Sequence, residues 1–239
     1  LLREIAAAGG QKIITYGSNA VARYRIGETK AKGFSTVGEV FDGKKKLGIL
    51  ELKVPGHHNM VNALAAVAVS CELGIDFHEA AMALKSFMGA ARRFHLLGTA
   101  KGITVIDDYA HHPTEIMATL KGARQGNPPR IIVVFQPHRY TRTKRLHAEF
   151  AKAFADADLV IVNDIYSAGE SPIAGVNASI LVEEIKSCSN PRTVHIPDRG
   201  DTVDYLLRNV HSGDMVLVLG AGDVWRVGTD LLAALGDES

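Results

Sequence analysis

The chain has 239 residues, of which 46% are hydrophobic and 22% are charged, a composition typical of a folded protein with a core, which excludes global disorder. Its 27 Lys and Arg residues are balanced by 26 Asp and Glu residues, and a formal net charge of +1 provides no field that would attract nucleic acid or an anionic membrane. Two cysteines without CxxC spacing, Cys71 and Cys188, predict neither a disulfide framework nor a zinc knuckle and fit a reducing cytoplasm.

The amino-terminal residues predict that the chain is cut from a longer one. They form a helix-like pattern, Leu1-Leu2-Arg3-Glu4-Ile5, with no initiator methionine and no helix cap. A signal peptide is not expected, because the basic start and the small-residue cleavage site are missing. The longest apolar run, residues 63–69, is much shorter than the roughly 20 residues that a membrane-spanning helix needs.

The first third of the chain is predicted to begin with β-structure. Residues 12–16 form a short predicted strand, and residues 38–41 and 47–54 form a predicted hairpin around the turn residues 42–44.

Two helices follow in the prediction. Small and apolar residues predict a helix at 59–73, which Gly74 ends, and helical spacing returns at 77–87. The next residues, 89–93, are predicted to form a linker, and the boundary between two parts of the chain is expected near Arg93.

After the linker, apolar strands alternate with amphipathic helices. The predicted strands are 104–107, 131–135, 159–162, 193–196 and 215–219. The predicted helices are 114–124, 146–154, 178–186, 202–210 and 229–235. Strands that are apolar throughout and separated by helices are typical of a mainly parallel, doubly wound α/β sheet covered on both faces.

Polar clusters directly follow four of these strands. They occupy residues 107–113, 136–143, 163–166 and 220–223. Because a doubly wound sheet binds its ligands at the carboxyl ends of its strands, the four clusters are expected to converge on one edge.

The cluster at 107–113, Asp-Asp-Tyr-Ala-His-His-Pro, has three possible interpretations. It is a surface loop whose aspartate caps the next helix, or a functional site at the end of a buried strand, or part of a metal site. The metal interpretation needs a further ligand such as His138, because adjacent histidines usually point apart. The placement of the loop favours a functional site.

Two arginines in the cluster at 136–143, Arg139 and Arg142, are three residues apart, where forked guanidinium groups can hold a carboxylate or a phosphate. The alternative is a solvated basic face that continues through Lys144 and Arg145. We expect that alternative for Lys144 and Arg145 only.

Residues 55–62 contain a glycine-bearing turn that opens a helix, with Asn59 near the cap and Asn62 one turn further on. Capping accounts for Asn59, whereas the amide of Asn62 can offer both a donor and an acceptor to a heterocycle. Arg92 is interpreted as a solvated linker residue. Residues 220–223 lack full G-x-G-x-x-G spacing, and no G-x-x-x-x-G-K-[ST] phosphate loop occurs in the sequence.

These segments together resemble the Mur ligase family. The resemblance rests on Gly56-His57-His58-Asn59 with 62–66, Arg92-Arg93-Phe94, 107–113, 135–143, 166–170 and 220–223. The segments DDYAHHP and FQPHRYTRT resemble the member that joins L-alanine to UDP-N-acetylmuramate, and the member that recycles murein tripeptide is the alternative within the family.

The resemblance implies that residues 1–91 are the carboxy-terminal half of a central ATPase domain and that residues 92–239 are a Rossmann-like third domain. It also implies a cytoplasmic enzyme that uses ATP and Mg²⁺ to form an amide through an acyl phosphate. The UDP-sugar domain, the phosphate loop and most magnesium ligands are expected outside this chain, so we expect the chain alone to be inactive.

The resemblance further implies residue roles. Asn59 and Asn62 resemble adenine-side contacts, Arg93 a phosphate contact, and Asp108 the ribose contact, for which Asp107 is the alternative. The residues that resemble the ligation site are His138, Arg139, Arg142, Tyr109, His111 and His112. A metal-dependent phosphoesterase built on the Asp/His cluster and a nucleotide-binding module without catalysis remain the competing hypotheses.

Overall fold

The structure, a computed structural model, describes residues 10, 12–87 and 89–236. The helix-like pattern predicted at residues 1–5 lies outside these ranges. The chain divides into two compact units, Leu1–Met88 and Gly89–Ser239. No helix within the described ranges is long and apolar enough to cross a membrane.

The first unit contains a sheet of four strands with the order β1-β2-β3-β4, in which β1 is parallel to β2 and the other pairs are antiparallel. The strands are β1 (Tyr16–Gly17), β2 (Tyr24–Lys32), β3 (Ser35–Asp42) and β4 (Lys45–Leu52). The predicted hairpin is confirmed as β3 and β4.

Two features of this sheet differ from the prediction. The strand predicted at 12–16 is wrong over most of its length, because only Tyr16 joins the ladder and Thr15 instead accepts hydrogen bonds from the backbone of Arg23 and Tyr24. The nine-residue β2 was not predicted at all. Within β2 only Tyr24 and Ile26 are buried, so the strand carries little apolar signal.

Helices α1 (His57–Glu72) and α2 (Phe77–Ser86) confirm the two predicted helices and pack on the sheet. Gly74 has a φ of +86° just after α1, and Ile75 N–H donates to Ser70 O at 2.9 Å. This is the Schellman arrangement, in which a left-handed residue lets the chain reverse and satisfies a terminal carbonyl. The core comprises Tyr24, Ile26, Val40, Leu50, Leu52, Val54, Met60, Ala63, Leu64, Val67, Ala68, Phe77 and Ala81.

The second unit is built on a six-stranded sheet with the order β5-β6-β10-β7-β8-β9. The strands are β5 (His95–Ala100), β6 (Ile103–Asp108), β7 (Ile131–Phe135), β8 (Leu159–Val162), β9 (Thr193–His195) and β10 (Met215–Leu219). All pairs except β5 with β6 are parallel. The predicted mainly parallel α/β sheet is therefore confirmed.

The antiparallel β5 was missed by the sequence analysis. It forms a hairpin with β6 through Lys101 and Gly102, both with positive φ, as a tight two-residue hairpin turn requires. None of its six residues is fully buried, and Leu96 is 56% exposed. Such an edge strand lacks the continuous apolar run that identifies its parallel neighbours.

In the described part of this unit, four helices connect the strands and a fifth follows β10, as predicted. They are α3 (Pro113–Gln125), α4 (Tyr140–Ala151), α5 (Ala178–Cys188), α6 (Arg199–Asn209) and α7 (Trp225–Gly236). The start of α4 lies six residues before the predicted start at 146, because Arg139 is the N-cap and the polar residues after it form the first turns. The helix kinks at Leu146, which has a φ of −118°.

Apolar residues cover both faces of the second sheet. In β7, Ile131, Val133 and Phe135 pack on one face, whereas Ile132 and Val134 pack on the other. The four central parallel strands end in register, since Leu219 pairs with both Asp108 and Phe135, and Phe135 pairs with Val162. The loops that follow them therefore begin at the same edge of the sheet.

Candidate functional site

Backbone hydrogen bonds continue past the strand ends and hold the four polar loops together. Gly220 N–H donates to Asp108 O at 3.1 Å, Gln136 N–H to Leu219 O at 3.0 Å, and Asn163 N–H to Phe135 O at 2.9 Å. The predicted convergence of the four clusters on one edge is confirmed.

His138 lies at the centre of this edge. Its imidazole stacks on the ring of Tyr166, with centroids 5.5 Å apart and an interplanar angle of 15°, and its centroid is 6.0 Å from that of His111. Nη1 of Arg142 lies 3.2 Å from His138 Nδ1 and donates to His138 O at 3.1 Å. Burial lowers the pKa of His138, and the positive charge of Arg142 lowers it further. His138 and Arg142 are thus in contact, as the sequence suggested.

Arg139 has an unusual backbone, with a φ of +74°, and its N–H donates to Tyr166 O at 2.8 Å. Its side chain is exposed. A non-glycine residue at positive φ is uncommon and is found preferentially at functional sites. Arg139 thus combines a left-handed backbone with an exposed guanidinium group at this edge.

Glu170 supports the start of α4. Its carboxylate accepts hydrogen bonds from the hydroxyl of Thr141 at 2.6 Å and from the N–H of Thr141 at 3.0 Å. The hydroxyl and then the N–H of Thr141 hold the pKa of Glu170 below its usual range. No role was predicted for Glu170 or Tyr166, although both follow a buried strand whose end is at the site.

Gly222 lies against Tyr166. A Cβ atom at Gly222 would be 2.8 Å from Cγ of Tyr166 and would also collide with Oε1 of Gln136. Gln136 in turn donates to Asp223 at 3.3 Å. The loop at 220–223, which lacks full nucleotide-loop spacing, thus packs closely on the loops after β7 and β8.

Asp108 is buried, and its carboxylate points into the protein. It accepts hydrogen bonds from Ala110 N–H at 2.9 Å, Thr119 hydroxyl at 3.0 Å and Phe94 N–H at 3.1 Å. Burial raises the pKa of Asp108, although these hydrogen bonds act in the opposite direction. Asp108 therefore has a structural task in the loop, and its predicted ribose contact would share oxygens that are already bonded.

Arg92 is not a solvated linker residue, and that interpretation was wrong. Its Nε donates to Asp107 Oδ2 at 3.2 Å and its Nη2 to Gly220 O at 2.6 Å. Its guanidinium also lies 4.9 Å from the ring centroid of Tyr109. Arg92 therefore ties the linker to the ends of β6 and β10, a pairing that no local pattern could indicate.

The other oxygen of the Asp107 carboxylate is unusual. Asp107 is buried, and its Oδ1 has no hydrogen-bond partner among the described residues. Burial raises the pKa of Asp107 despite the opposing charge of Arg92. The carboxylate thus depends on Arg92 for its compensation.

Glu115 organises the two adjacent histidines. Its Oε2 accepts from the N–H of His111 at 3.0 Å and from the N–H of His112, the N-cap of α3, at 3.1 Å. His111 Nδ1 lies 2.9 Å from Tyr109 O, and His112 Nδ1 lies 3.0 Å from Thr114 Oγ1. One interpretation of the loop was that an aspartate caps the next helix. The structure instead has His112 as the N-cap, with its N–H bonded to Glu115.

Arg93 remains largely exposed, with 56% of its side chain accessible. It lies 3.9 Å from Glu115 and 5.8 Å from the ring centroid of Tyr109. Both contacts are weak at these distances, so its guanidinium can reach a ligand at small cost.

In the first unit, Asn59 lies inside α1 and does not cap it. Gly56 is the N-cap, and the amide of Asn59 donates to Pro55 O at 2.7 Å, which stabilises the turn before the helix. Asn62 is exposed one turn further on. The neighbouring His57 is held by Ser18 at 2.8 Å and Thr29 at 3.1 Å.

The metal interpretation of the Asp/His cluster gains no support from the geometry. No three His, Cys, Asp or Glu side chains in the described part of the chain are arranged to hold one metal ion.

Two Mur ligase domain profiles match the chain. Residues 92–222 match the profile of the Mur ligase, glutamate ligase domain, and residues 1–70 match the Mur ligase middle domain. The chain is 44% identical over 239 residues to UDP-N-acetylmuramate–L-alanine ligase of Desulforamulus reducens, with 100% of the chain and 52% of that relative covered. It is 48% identical over 235 residues to the ligase of the same name from Pelotomaculum thermopropionicum, with 98% and 51% covered.

A solved structure shows the same fold. The crystal structure of UDP-N-acetylmuramate-alanine ligase from Thermotoga maritima superposes with a TM-score of 0.80 at 28% identity, with 95% of this chain and 48% of that chain covered. The chain spans about half the length of the curated relatives that it matches. Because the Mur ligase profile covers more than half of its residues, the chain belongs to the Mur ligase family.

Proposed function

We propose that the complete protein is an ATP-dependent ligase of the cytoplasm that joins L-alanine to UDP-N-acetylmuramate through an acyl phosphate, in peptidoglycan precursor synthesis. In this proposal residues 1–91 are the second half of the central ATPase domain and residues 92–239 are the third domain. The names of relatives at 44% and 48% identity support it.

The observation that carries the proposal is the cationic edge formed by His138, Arg139 and Arg142. Arg139 projects to solvent from a strained backbone, and Arg142 is fixed through His138. A planar guanidinium group can bind a carboxylate through two parallel hydrogen bonds. We therefore assign Arg139 to the carboxylate of alanine or of the muramate, with Arg142 supplying a second positive charge that stabilises the transferring oxygens.

Tyr109, His111 and His112 complete the ligation site in this proposal. Tyr109 contacts the His111 ring edge-on at a centroid distance of 5.3 Å, and His111 in turn approaches His138. His112 lies at the start of α3 and is further constrained by Thr114. Tyr109 and His111 thus lie close enough to His138 for all three to contact one small substrate.

For the nucleotide, we propose contacts from Asn59 and Asn62 to adenine and from Arg93 to the phosphates. The exposed amide of Asn62 and the exposed guanidinium of Arg93 fit these roles. Asp108 fits its ribose role less well, because three donors already bind its carboxylate. Asp107 is not better placed, since it is buried against Arg92.

When bound, ATP would supply the phosphoryl group that activates the muramate carboxylate, and Mg²⁺ would stabilise the negative charge of the phosphates. The described residues do not provide a cluster of carboxylates for the metal. We therefore place most magnesium ligands and the phosphate loop in the part of the complete protein that lies outside this chain.

The direct test is an assay of the complete purified protein with UDP-N-acetylmuramate, ATP and Mg²⁺. With L-alanine we expect ADP, phosphate and UDP-N-acetylmuramoyl-L-alanine in equal amounts. A parallel assay replaces alanine with L-alanyl-γ-D-glutamyl-meso-diaminopimelate. Efficient joining of this tripeptide without joining of alanine would show that the protein is the recycling ligase instead.

A further inference from the structure

The two histidines that approach each other at the site have opposite hydrogen-bonding partners. Nδ1 of His111 faces a backbone carbonyl, that of Tyr109, at 2.9 Å, whereas Nδ1 of His138 faces the guanidinium of Arg142 at 3.2 Å. A carbonyl oxygen can only accept a hydrogen bond, and a guanidinium group can only donate one. The partners therefore dictate on which nitrogen each ring carries its proton.

From this geometry we propose that His111 is the group that takes the proton from the attacking amine and that His138 is a neutral hydrogen-bond donor to an oxygen of the substrate. The proposal rests on the ligase function proposed above. It assigns a different role to each of two neighbouring imidazoles. The sequence alone does not distinguish these roles.

For His111 the carbonyl of Tyr109 requires a proton on Nδ1, so the lone pair of a neutral ring is on Nε2. Within the described residues Nε2 of His111 has no hydrogen-bond partner, and the ring is only half-buried. The carboxylate of Glu115 lies 3.6 Å from Nδ1. When Nε2 gains a proton, Tyr109 O still accepts from Nδ1, and Glu115 stabilises the positive charge. The Nδ1–H group of His111 thus keeps its partner while Nε2 is open to a substrate.

For His138 the donor from Arg142 occupies the lone pair of Nδ1, so the proton of a neutral ring is on Nε2. A second proton could enter only at Nδ1, where it would confront the Arg142 guanidinium at hydrogen-bond distance. The parallel stacking on Tyr166 restricts rotation of the ring. His138 therefore presents an N–H group that donates a hydrogen bond and does not accept a proton.

The charges around the two rings agree with this division. Burial lowers the pKa of His138, and the charges of Arg142, His111 and Arg139 lower it further. Glu170 acts in the opposite direction, but its carboxylate is bonded to Thr141. The groups that face His111 are Glu115 on α3, Tyr109 in its own loop, His138 after β7 and, through Glu115, Arg93 in the linker.

The proton balance of the step is simple. The amino acid arrives with its amine as an ammonium group, which has no lone pair for attack. One N–H bond breaks, its proton forms a bond to Nε2 of His111, and the electron pair stays on nitrogen and forms a bond to the carbonyl carbon of the acyl phosphate. The bond from that carbon to the phosphate oxygen then breaks, and inorganic phosphate leaves with the bonding electrons. The nitrogen loses a second proton, to the departing phosphate or to water, and becomes the amide. His138 keeps its proton throughout and hydrogen-bonds to a carboxylate or phosphate oxygen.

The first test needs no catalysis and uses the 239-residue chain. Long-range ¹H–¹⁵N spectra of uniformly labelled protein distinguish protonated from unprotonated ring nitrogens, and His111→Gln and His138→Gln assign the signals. At pH 7.5 we expect the ring of His111 to carry its proton on Nδ1 and the ring of His138 to carry its proton on Nε2. The same tautomer in both rings, or a charged His138, would overturn the proposal.

The second test uses the complete protein with UDP-N-acetylmuramate, ATP and L-alanine. His111→Gln removes the proton acceptor and should lower kcat by about 10²- to 10⁴-fold with little change in KM. His138→Gln keeps an N–H donor and should lose only about tenfold or less. The control is His147, an exposed residue of α4 that pairs with Glu184. His147→Gln should leave kcat unchanged.

These outcomes distinguish an error in the roles assigned to the two histidines from an error in the proposed function. If His138→Gln loses as much activity as His111→Gln, or if His111→Gln behaves like the control, the division of roles is wrong. If the wild-type complete protein does not join alanine at all, the proposed function is wrong, and the ring tautomers are still decided by the spectra.

Discussion

Arg139 combines an exposed guanidinium group with a backbone φ of +74° at the edge of the sheet. Replacing it with lysine keeps the charge but removes the fork that binds a carboxylate through two hydrogen bonds. In the complete protein we expect Arg139→Lys to lower kcat/KM for alanine or for UDP-N-acetylmuramate by about tenfold or more, equivalent to about 1–3 kcal/mol. Steady-state kinetics with each substrate varied in turn measures the loss.

A matched control for this variant is Arg145→Lys, because Arg145 is exposed on the same helix and is assigned to the solvated basic face. Neither variant should change the melting temperature much. Equal kinetics for both variants would remove Arg139 from the site, and a large drop in melting temperature for Arg139→Lys would make the residue structural.

Arg92 compensates the buried carboxylate of Asp107 and binds the carbonyl of Gly220. Arg92→Ala leaves that carboxylate without its charged partner, so we expect the free energy of unfolding to fall by about 2–3 kcal/mol. Arg93→Ala, at the exposed neighbouring position, should cost less than about 0.5 kcal/mol. Urea unfolding of the two variants side by side gives the comparison, and equal losses would contradict the role of Arg92.

Glu115 makes the stability of the second unit depend on pH in a defined direction. Burial alone would raise the pKa of Glu115, but the N–H groups of His111 and His112 and the charges of His111 and Arg93 outweigh it and lower that pKa. Because the folded pKa is the lower one, the contribution is fully present above the unfolded value of about 4.5 and disappears as the pH falls through the folded value.

Glu115→Gln should therefore lose stability relative to wild type near pH 7 and approach wild type at pH 3. Asp107 and Asp108 have raised pKa values and act in the opposite direction, but they are unchanged in this comparison. Unfolding free energies measured between pH 3 and pH 7 provide the test. A difference between the two proteins that does not vary with pH would reject this account.

At the scale of secondary structure, the parallel strands could be predicted because they are apolar on both faces. β7, β8 and β10 have the predicted bounds, and their buried residues form unbroken runs in the sequence. β2 and β5 could not be predicted in this way, because each has one face open to solvent and a mixed composition. Such half-exposed strands depend on their partner strands more than on their own residues.

The same distinction applies to the site. The position of the loops followed from the strands, and with it the proximity of His138 to the residues of 107–113. The partners of the side chains did not follow, because Arg92 reaches Gly220, 128 positions along the chain. Asp108 likewise gave no sequence signal that it points inward, toward Thr119.

Three loops meet at Gly222, where the packing leaves no room for a side chain. A Cβ atom there would collide with Gln136 and with Tyr166, whose ring supports His138. We expect Gly222→Ala to destabilise the protein by about 1–3 kcal/mol, as overpacking does. Gly236→Ala in α7 is the control, since nothing lies within 4 Å of the added atom. Equal melting temperatures for the two variants would mean that the loops can move apart at little cost in free energy.

At the scale of the whole molecule, the sequence has arginine residues at the predicted site but contains no phosphate loop of the G-x-x-x-x-G-K-[ST] type. We therefore expect the 239-residue chain by itself to form no UDP-N-acetylmuramoyl-L-alanine and to release no phosphate from ATP when both substrates are supplied. A coupled assay for ADP on chromatographically pure chain measures this. Turnover that survives repeated purification would show that the residues of this chain suffice.

The last strand in the described part of the chain, β10, lies in the middle of its sheet, between β6 and β7. The ribosome completes β6 at Asp108 and β7 at Phe135, well before β10 begins at Met215. Until then β6 can pair with β5 and β7 with β8, but the edges of β6 and β7 that face β10 either stay open or pair with each other and separate again. During synthesis there is therefore a long interval in which most of the core residues have been made but cannot yet pack around β10. In this interval the apolar strands are exposed, which favours aggregation and makes the domain depend on chaperones.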